Sequence, residues 1–294
     1  MKKRTISLLI ILIFSVVSQA QSYSVEKKKL VYKEVDGIKL EMTIYSPVVK
    51  VSTPLPAIVF FFGGGWVSGT PTHFQLQAEY FASRGIVAIC PDYRTKNKHN
   101  TSPFECVKDA RSAMRYIKLN STRFKINPDK IVAAGGSAGG HLAACTAIIN
   151  HINEEGDNLN VSPNPFALVL FNPVVDTSKK GYGQSKVAGR EFEISPVHHI
   201  KPGVPPTLIM HGKDDTTVPF ENVKRFDQTM KQAGNECKLI GYKKQSHGFF
   251  NYKTKPKYFK KTLIQTEKFL EDLVLLKGES WIKKYCKTLG ANDS

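Results

Sequence analysis

The run Gly135-Gly136-Ser137-Ala138-Gly139-Gly140 sets one hydroxyl between a short apolar stretch, Lys130-Ile131-Val132-Ala133-Ala134, and a helical pattern that opens His141-Leu142-Ala143-Ala144. This is G-x-S-x-G in a strand–turn–helix context, where a serine is raised above a sheet for nucleophilic attack. So sharp a turn strains the serine backbone, and the residues two positions away must lack side chains that would collide. Gly135 and Gly139 meet that need. The following helix aims its N-terminal dipole where negative charge would develop. The motif alone is weak, because a phosphate-cradling or structural Gly-rich turn shares its composition. Its flanking strand and helix are what favour a nucleophile.

A serine hydroxyl needs a base, and the base needs an orienting carboxylate. The apolar run 207–211 leads into Gly212-Lys213-Asp214-Asp215-Thr216-Thr217-Val218-Pro219, which sets two carboxylates at a strand's carboxyl end. Asp215 is the candidate acid and Asp214 the alternative; the competing role is an aspartate capping the helix that starts near Pro219. After the next strand candidate, 238–242, comes Ser246-His247-Gly248-Phe249, with the only histidine beyond that strand. His247 is the candidate base. Donors for an oxyanion are expected from Gly63-Gly64-Gly65-Trp66, since glycine lets backbone amides approach a ligand closely. The amides of Gly64 and Gly65 would join that of Ala138. Trp66 either lines the substrate or packs in the core.

The remaining histidines read as structural. His73, His99, His151, His198 and His199 fall in loops or at helix ends, His141 packs within its helix, and His211 orders the loop carrying Asp215. None has the spacing of a metal motif such as H-E-x-x-H, so no metal is expected.

These residues must be positioned by the elements around them. Segments 29–35 and 39–45 are β-rich and joined by Asp36-Gly37, a strong hairpin signal. The continuous apolar run at 57–62 suits a strand covered on both faces, 86–90 makes the next buried strand, and 130–134, 167–171, 207–211 and 238–242 are further strand candidates. Helices are expected over about 74–84, from Ser102-Pro103-Phe104-Glu105 with its capping box and first-position proline, over 220–233, and after Pro256. Strands alternating with helices predict an α/β fold: a mostly parallel, eight-stranded sheet with helices on both faces. The site should lie beyond the carboxyl ends of its strands.

Met1-Lys2-Lys3-Arg4, an apolar run over 6–17 and Ser18-Gln19-Ala20 have the form of a signal peptide cleaved after Ala20. The run is too short to span roughly 30 Å of hydrocarbon, so no stable membrane insertion is expected. One domain over 21–294 follows, exported to periplasm or medium. The formal net charge of +17, or +14 once Lys2, Lys3 and Arg4 are removed, comes mostly from dispersed lysine. No basic cluster with interleaved aromatics points to nucleic acid. Attraction to anionic glycan is the sharper reading of that charge, and solubility the plainer one. Five scattered cysteines do not make a disulfide framework, though Cys237 with Cys286 is a candidate bridge.

Taken together, Asp36-Gly37, Phe62-Gly63-Gly64-Gly65-Trp66, Arg84-Gly85, Asp92-Tyr93-Arg94, Asp129-Lys130-Ile131, Gly135-Gly136-Ser137-Ala138-Gly139-Gly140-His141, His211-Gly212-Lys213-Asp214-Asp215 and Ser246-His247-Gly248-Phe249 resemble the hormone-sensitive-lipase-like and feruloyl-esterase-like branch of the α/β hydrolases. The resemblance covers nearly all of 21–294. It implies the α/β-hydrolase fold, the Ser137–His247–Asp215 roles and no cofactor. The family usually has histidine where this chain has Phe62, so the oxyanion loop here must be anchored by packing. Asp92 and Arg94 are read as a structural pair. The large N-terminal cap of the lipase-like members is missing, and a small lid is expected from residues 150–165 and 177–201. The resemblance therefore implies an esterase that removes acetyl or feruloyl groups from polysaccharides. The alternatives are a serine peptidase of prolyl-oligopeptidase type, for whose propeller the chain has no room, and a non-catalytic glycan-binding homologue.

Overall fold

Asp36 and Gly37 both take positive φ, at 51° and 74°, as a two-residue type I′ hairpin requires. They join β1 (Val25–Val35) to β2 (Ile38–Pro47) in an antiparallel pair with Val35 opposite Ile38. The computed structural model describes residues 22–50, 52–187 and 189–292. The signal-peptide reading of residues 1–20 lies outside them.

Six further strands are β3 (Leu55–Phe61), β4 (Val87–Pro91), β5 (Ile126–Gly136), β6 (Ala167–Phe171), β7 (Thr207–Gly212) and β8 (Cys237–Tyr242). They are mutually parallel, β2 pairs antiparallel with β4, and the sheet runs β1-β2-β4-β3-β5-β6-β7-β8. The helices are α1 (Gln75–Ser83), α2 (Lys96–His99), α3 (Pro103–Leu119), α4 (Ser121–Phe124), α5 (Ala138–Ile148), α6 (Phe220–Gln232), α7 (Pro256–Asp272) and α8 (Ile282–Asn292). The chain is an α/β-hydrolase fold with the expected eight-stranded, mostly parallel sheet.

Successive strand residues point to opposite faces, so an unbroken apolar run feeds two cores at once. Ala57, Val59, Phe61, Ile131 and Ala133 pack with α3, α5 and α6 on one face; Ile58, Phe60, Val132 and Ala134 pack with α1, α7 and α8 on the other. Each large side chain buried in this way contributes about 2 kcal/mol. At the start of α3, the Ser102 hydroxyl accepts from the Phe104 amide at 3.3 Å and Glu105 reaches back to the Ser102 amide at 2.9 Å. The helix then buries Val107, Ala110, Met114 and Ile117.

From β3 the chain goes to β4 on one side, then crosses so that every later strand lies on the other. The crevice between the carboxyl ends of β3 and β5 is therefore the topological switch point, where open α/β sheets bind ligands. The Gly63–Gly65 loop leaves β3 there, and Ser137 follows β5.

Three expectations are corrected. Asp92 and Arg94 do not pair with each other. Arg94 grips Asp109, with Nε 2.9 Å from Oδ2 and Nη2 2.8 Å from Oδ1, and also bonds Glu154, while Asp92 accepts from the Tyr93 amide and pairs with exposed Lys98. A buried carboxylate needs an almost equally buried partner, and Asp109 on α3 is fully buried whereas Asp92 lies near the surface. Residues 150–165 are no lid, because Glu154 is bound by Lys33 and Arg94, Asn153 by Arg111, and Asp157 by Arg115. These bonds tie the segment to α3 and β1. Cys237 and Cys286 are both free thiols, like Cys90, Cys106 and Cys145. Among the described residues no helix is long and apolar enough to cross a membrane.

Candidate active site

Ser137 has φ 55° and ψ −120°, a backbone conformation that a non-glycine residue adopts only under constraint. The constraint is visible. Its amide donates to the Phe171 carbonyl at 2.9 Å, and its carbonyl accepts from His141 and Val174. A Cβ on Gly135 would collide with the Gly139 carbonyl, and one on Gly139 with the carbonyls of Phe61 and Phe62. These two glycines let β3, β5 and the first turn of α5 approach closely enough to form the elbow.

The Ser137 hydroxyl lies 2.9 Å from His247 Nε2, and His247 Nδ1 lies 2.7 Å from Asp215 Oδ2. An ionised carboxylate only accepts, so Nδ1 carries the proton and Nε2 is left to accept from the serine. Burial pushes the Asp215 carboxyl up, but hydrogen bonds from His211, His247 and the Val218 amide outweigh it and hold the group well below the usual carboxylate range. Its other oxygen accepts from the amides of Thr217 and Val218, each at 2.9 Å. Asp215 thus orders its own turn and orients the imidazole with separate oxygens. His211 Nε2 reaches both the Val218 carbonyl, at 2.8 Å, and Asp215 Oδ2, at 3.2 Å, so it does order this loop. Asp214 is exposed, and among the described residues its amide alone is engaged, by the Gln245 carbonyl.

The oxyanion loop is held from outside its own sequence. Gly64 and Gly65 have φ 129° and 61°, and their amides donate to no acceptor among the described residues. The amide of Ala138, first in α5, is one that the i→i−4 pattern leaves without a partner. The Gly63 amide is spent on His73 Nδ1 at 3.1 Å, and His73 Nε2 lies 2.8 Å from Asn251 Oδ1. Burial lowers the affinity of His73 for a second proton, partly offset by Asn251, which suits a neutral ring that accepts at Nδ1 and donates at Nε2. Asn251 in turn donates to the Gly248 carbonyl at 2.9 Å, so the base loop and the oxyanion loop are clasped together. Phe62 stacks on Tyr93 with centroids 3.9 Å apart, and the Tyr93 hydroxyl donates to the Phe62 carbonyl.

Trp66 takes the packing role. It is 1% exposed, with its indole N–H 3.3 Å from His141 Nδ1, while His141 Nε2 lies 2.6 Å from the Ile194 carbonyl. His141 therefore does not pack merely within its helix; it links the oxyanion loop to residues 177–201, and burial pushes its pKa down to about 4. That segment approaches the site through Tyr182 and Lys186, the latter donating to the Gly65 carbonyl at 3.2 Å.

Gly63, Gly64, Gly65, Ser137 and His247 line a hollow of about 280 Å³ together with His73, Asn172, Tyr182 and Asn251. These last four were not singled out as functional from sequence. Asn172 sits at φ 34° just past β6, accepts from the Gly248 amide at 3.1 Å and brings Nδ2 within 3.4 Å of His247 Nε2. Its place at a strand's carboxyl end was a usable signal. His73 and Asn251 carried none, being 178 residues apart.

A family model described as BD-FAE matches residues 42–179, and one for the dienelactone hydrolase family matches residues 166–274. The chain is similar to Thermogutta terrifontis esterase 2, solved as its tabun phosphoramylated form, with 41% identity and a TM-score of 0.82 over 86% of this chain and 97% of that one. It is 30% identical to a probable isoprenylcysteine alpha-carbonyl methylesterase of Arabidopsis thaliana, over 75% of this chain and 50% of the relative. It is 28% identical to an acetylxylan esterase of Xylanibacter ruminicola, over 81% and 49% respectively. The chain spans about half the length of the curated relatives it matches. A nucleophile elbow, a base and an acid in hydrogen-bonding sequence, at the switch point of this sheet, accord with such relatives, and the chain belongs to the esterase family of the α/β hydrolases.

Proposed function

We propose that this protein hydrolyses carboxylic esters of short acyl groups, acetyl foremost, carried on polysaccharide, and that it does so outside the cytoplasm. The observation that carries the reaction is the unbroken chain from Asp215 through His247 to Ser137, with links of 2.7 and 2.9 Å.

Ser137 Oγ attacks the ester carbonyl as His247 Nε2 takes its proton, and Asp215 stabilises the imidazolium so formed. Negative charge moves to the carbonyl oxygen, facing the amides of Gly64, Gly65 and Ala138. Collapse breaks the bond to the alcohol oxygen, which receives the proton from Nε2, leaving an acyl-serine. Water then attacks with His247 again as base, releasing the carboxylic acid and restoring Ser137. Neither step calls on a redox group.

The hollow beside Ser137 has room for a short acyl group. The similarity to an acetylxylan esterase supports a glycan alcohol. Residues 1–20 support export. Ser137→Ala is expected to lower hydrolysis of p-nitrophenyl acetate by about 10⁴-fold or more with the fold intact. Turnover at the unmodified rate would end the proposal. N-terminal sequencing of the exported protein should begin at Gln21.

A further inference from the structure

Lys186 reaches the oxyanion loop with its charge unanswered. Its ammonium donates to the Gly65 carbonyl at 3.2 Å and to the Tyr182 hydroxyl at 3.0 Å, and it lies 5.7 and 4.7 Å from the ring centroids of Trp66 and Tyr182. These partners are all neutral, and no carboxylate among the described residues pairs with it. Lys186 is half-buried, where a cation without a counter-charge is poorly compensated.

The same bond fixes what Tyr182 can offer. An ammonium only donates, so the Tyr182 oxygen accepts and its own O–H is left to donate, with no acceptor among the described residues. Tyr182 lines the catalytic hollow together with Ser137 and His247. A Cβ on Gly65 would come within 2.8 Å of the Tyr182 oxygen and 3.0 Å of Lys186 Nζ, so a bare glycine lets both stand against the oxyanion loop. The Tyr182 amide donates at 2.9 Å to the carbonyl of buried Asp176, whose carboxylate pairs with Arg225 on α6.

We infer that Tyr182 and Lys186 together read a carboxylate on the substrate. The Tyr182 O–H donates to it within the hollow, and Lys186 acts through that hydroxyl, polarising it and supplying the counter-charge. The inference rests on the esterase reading above. An acetyl group carries no charge, so on that reading the carboxylate belongs to the alcohol half, as in an acetylated uronic acid unit. A neutral hydroxyl would satisfy Tyr182 but leave Lys186 uncompensated. The dispersed lysines of a chain with net charge +17 draw anions from a distance, and this pair selects among them at the site.

Acetylated oligogalacturonide and its methyl-esterified form differ in that charge alone. At pH 7 the unmodified protein should show kcat/KM about tenfold higher for the acid form. Lys186→Met should bring this ratio near unity, Tyr182→Phe should lower it about threefold, and Lys186→Glu should reverse the preference. Lys268→Met removes the same charge from an exposed position on α7 and should leave the ratio unchanged. The methyl-esterified form controls for folding, since a variant that merely loosens the oxyanion loop slows both substrates equally. A ratio near unity in the unmodified protein, one that Lys186→Met leaves in place, or an equal drop with Lys268→Met overturns the inference and spares the esterase reading. Turnover of p-nitrophenyl acetate with neither glycan ester cleaved does the same. No turnover of any ester sinks the esterase reading and the inference with it.

Discussion

The two halves of this site are built in different ways. On the nucleophile side, the residues that act and those that position them are close in sequence: Gly135 and Gly139 flank Ser137, and Asp215 is fixed by the amides of Thr217 and Val218. On the oxyanion side, positioning comes from afar. Gly63 is held by His73, His73 by Asn251, the Phe62 carbonyl by Tyr93, the Gly65 carbonyl by Lys186, and Trp66 by His141. Local construction makes a rigid, strained turn that a short motif can encode. Distributed construction holds the loop with Phe62 packed on Tyr93, because Tyr93 and His73 do the anchoring.

The comparison predicts unequal sensitivity. Asp215→Asn strikes the local side directly and should reduce kcat by about 10⁴-fold, since it removes the charge that orients and stabilises His247. Asp214→Asn, one position away and exposed, should change kcat by less than about twofold. Steady-state kinetics on both variants checks the pair, and equal losses would show that the wrong carboxylate has been assigned. His73→Ala strikes the distributed side. It frees the Gly63 amide without removing a donor, so kcat should fall by about 10- to 100-fold, less than the loss of an oxyanion donor itself. KM should stay within about twofold, and His73→Asn should recover part of the rate. A matched rise in KM, or a thermal midpoint lowered enough to explain the loss, would make His73 merely structural.

The same division accounts for what could be read in the sequence. Strands β3, β4 and β6 and the second half of β5 were legible because their Val, Ile, Leu, Phe and Ala residues are buried on both faces and leave no polar alternation, whereas the polar start of β5 at 126–129 was missed. Asp36-Gly37 and Ser102-Pro103-Phe104-Glu105 encode their turn and cap within four residues. Ser137, Asp215 and His247 were nominated by short motifs in chain order, and the structure brings them into contact. Illegible were the pairings made by packing. Arg94 finds Asp109 instead of Asp92 because α3 brings that carboxylate into the core, and nothing near Arg94 in sequence reveals it. Residues 150–165 looked free to cover the site until Lys33, Arg94, Arg111 and Arg115 were seen to hold them. His73 and Asn251 sat in connections where bland and functional roles look alike.

A smaller effect is expected at the junction with residues 177–201. Tyr182→Phe deletes a hydroxyl 3.0 Å from Lys186 Nζ while keeping the ring against Trp66. Lys186 still reaches the Gly65 carbonyl, so kcat/KM for p-nitrophenyl acetate should fall only about two- to fivefold. A loss as large as that of His73→Ala would mean that this segment, and not the clasp to Asn251, sets the loop.

The last prediction concerns stability instead of rate, and separates the two halves by pH. His141 supports the oxyanion side and has a folded-state pKa lowered to about 4, against about 6.5 unfolded. Below about pH 6.5 the unfolded chain therefore binds more protons, so this contribution is complete above that value and lost as the pH falls toward 4. Asp215, on the nucleophile side, is held below its ordinary range, so its contribution persists above the usual carboxylate value and is lost only at lower pH. Acidification should thus loosen the oxyanion side first. The His141 share is about 3 kcal/mol at most, which corresponds to a fall of roughly 5–10 °C in thermal midpoint between pH 7 and 4. His141→Gln should lower the midpoint at pH 7 and flatten its slope over that window. An unchanged slope would place the acid sensitivity in other groups.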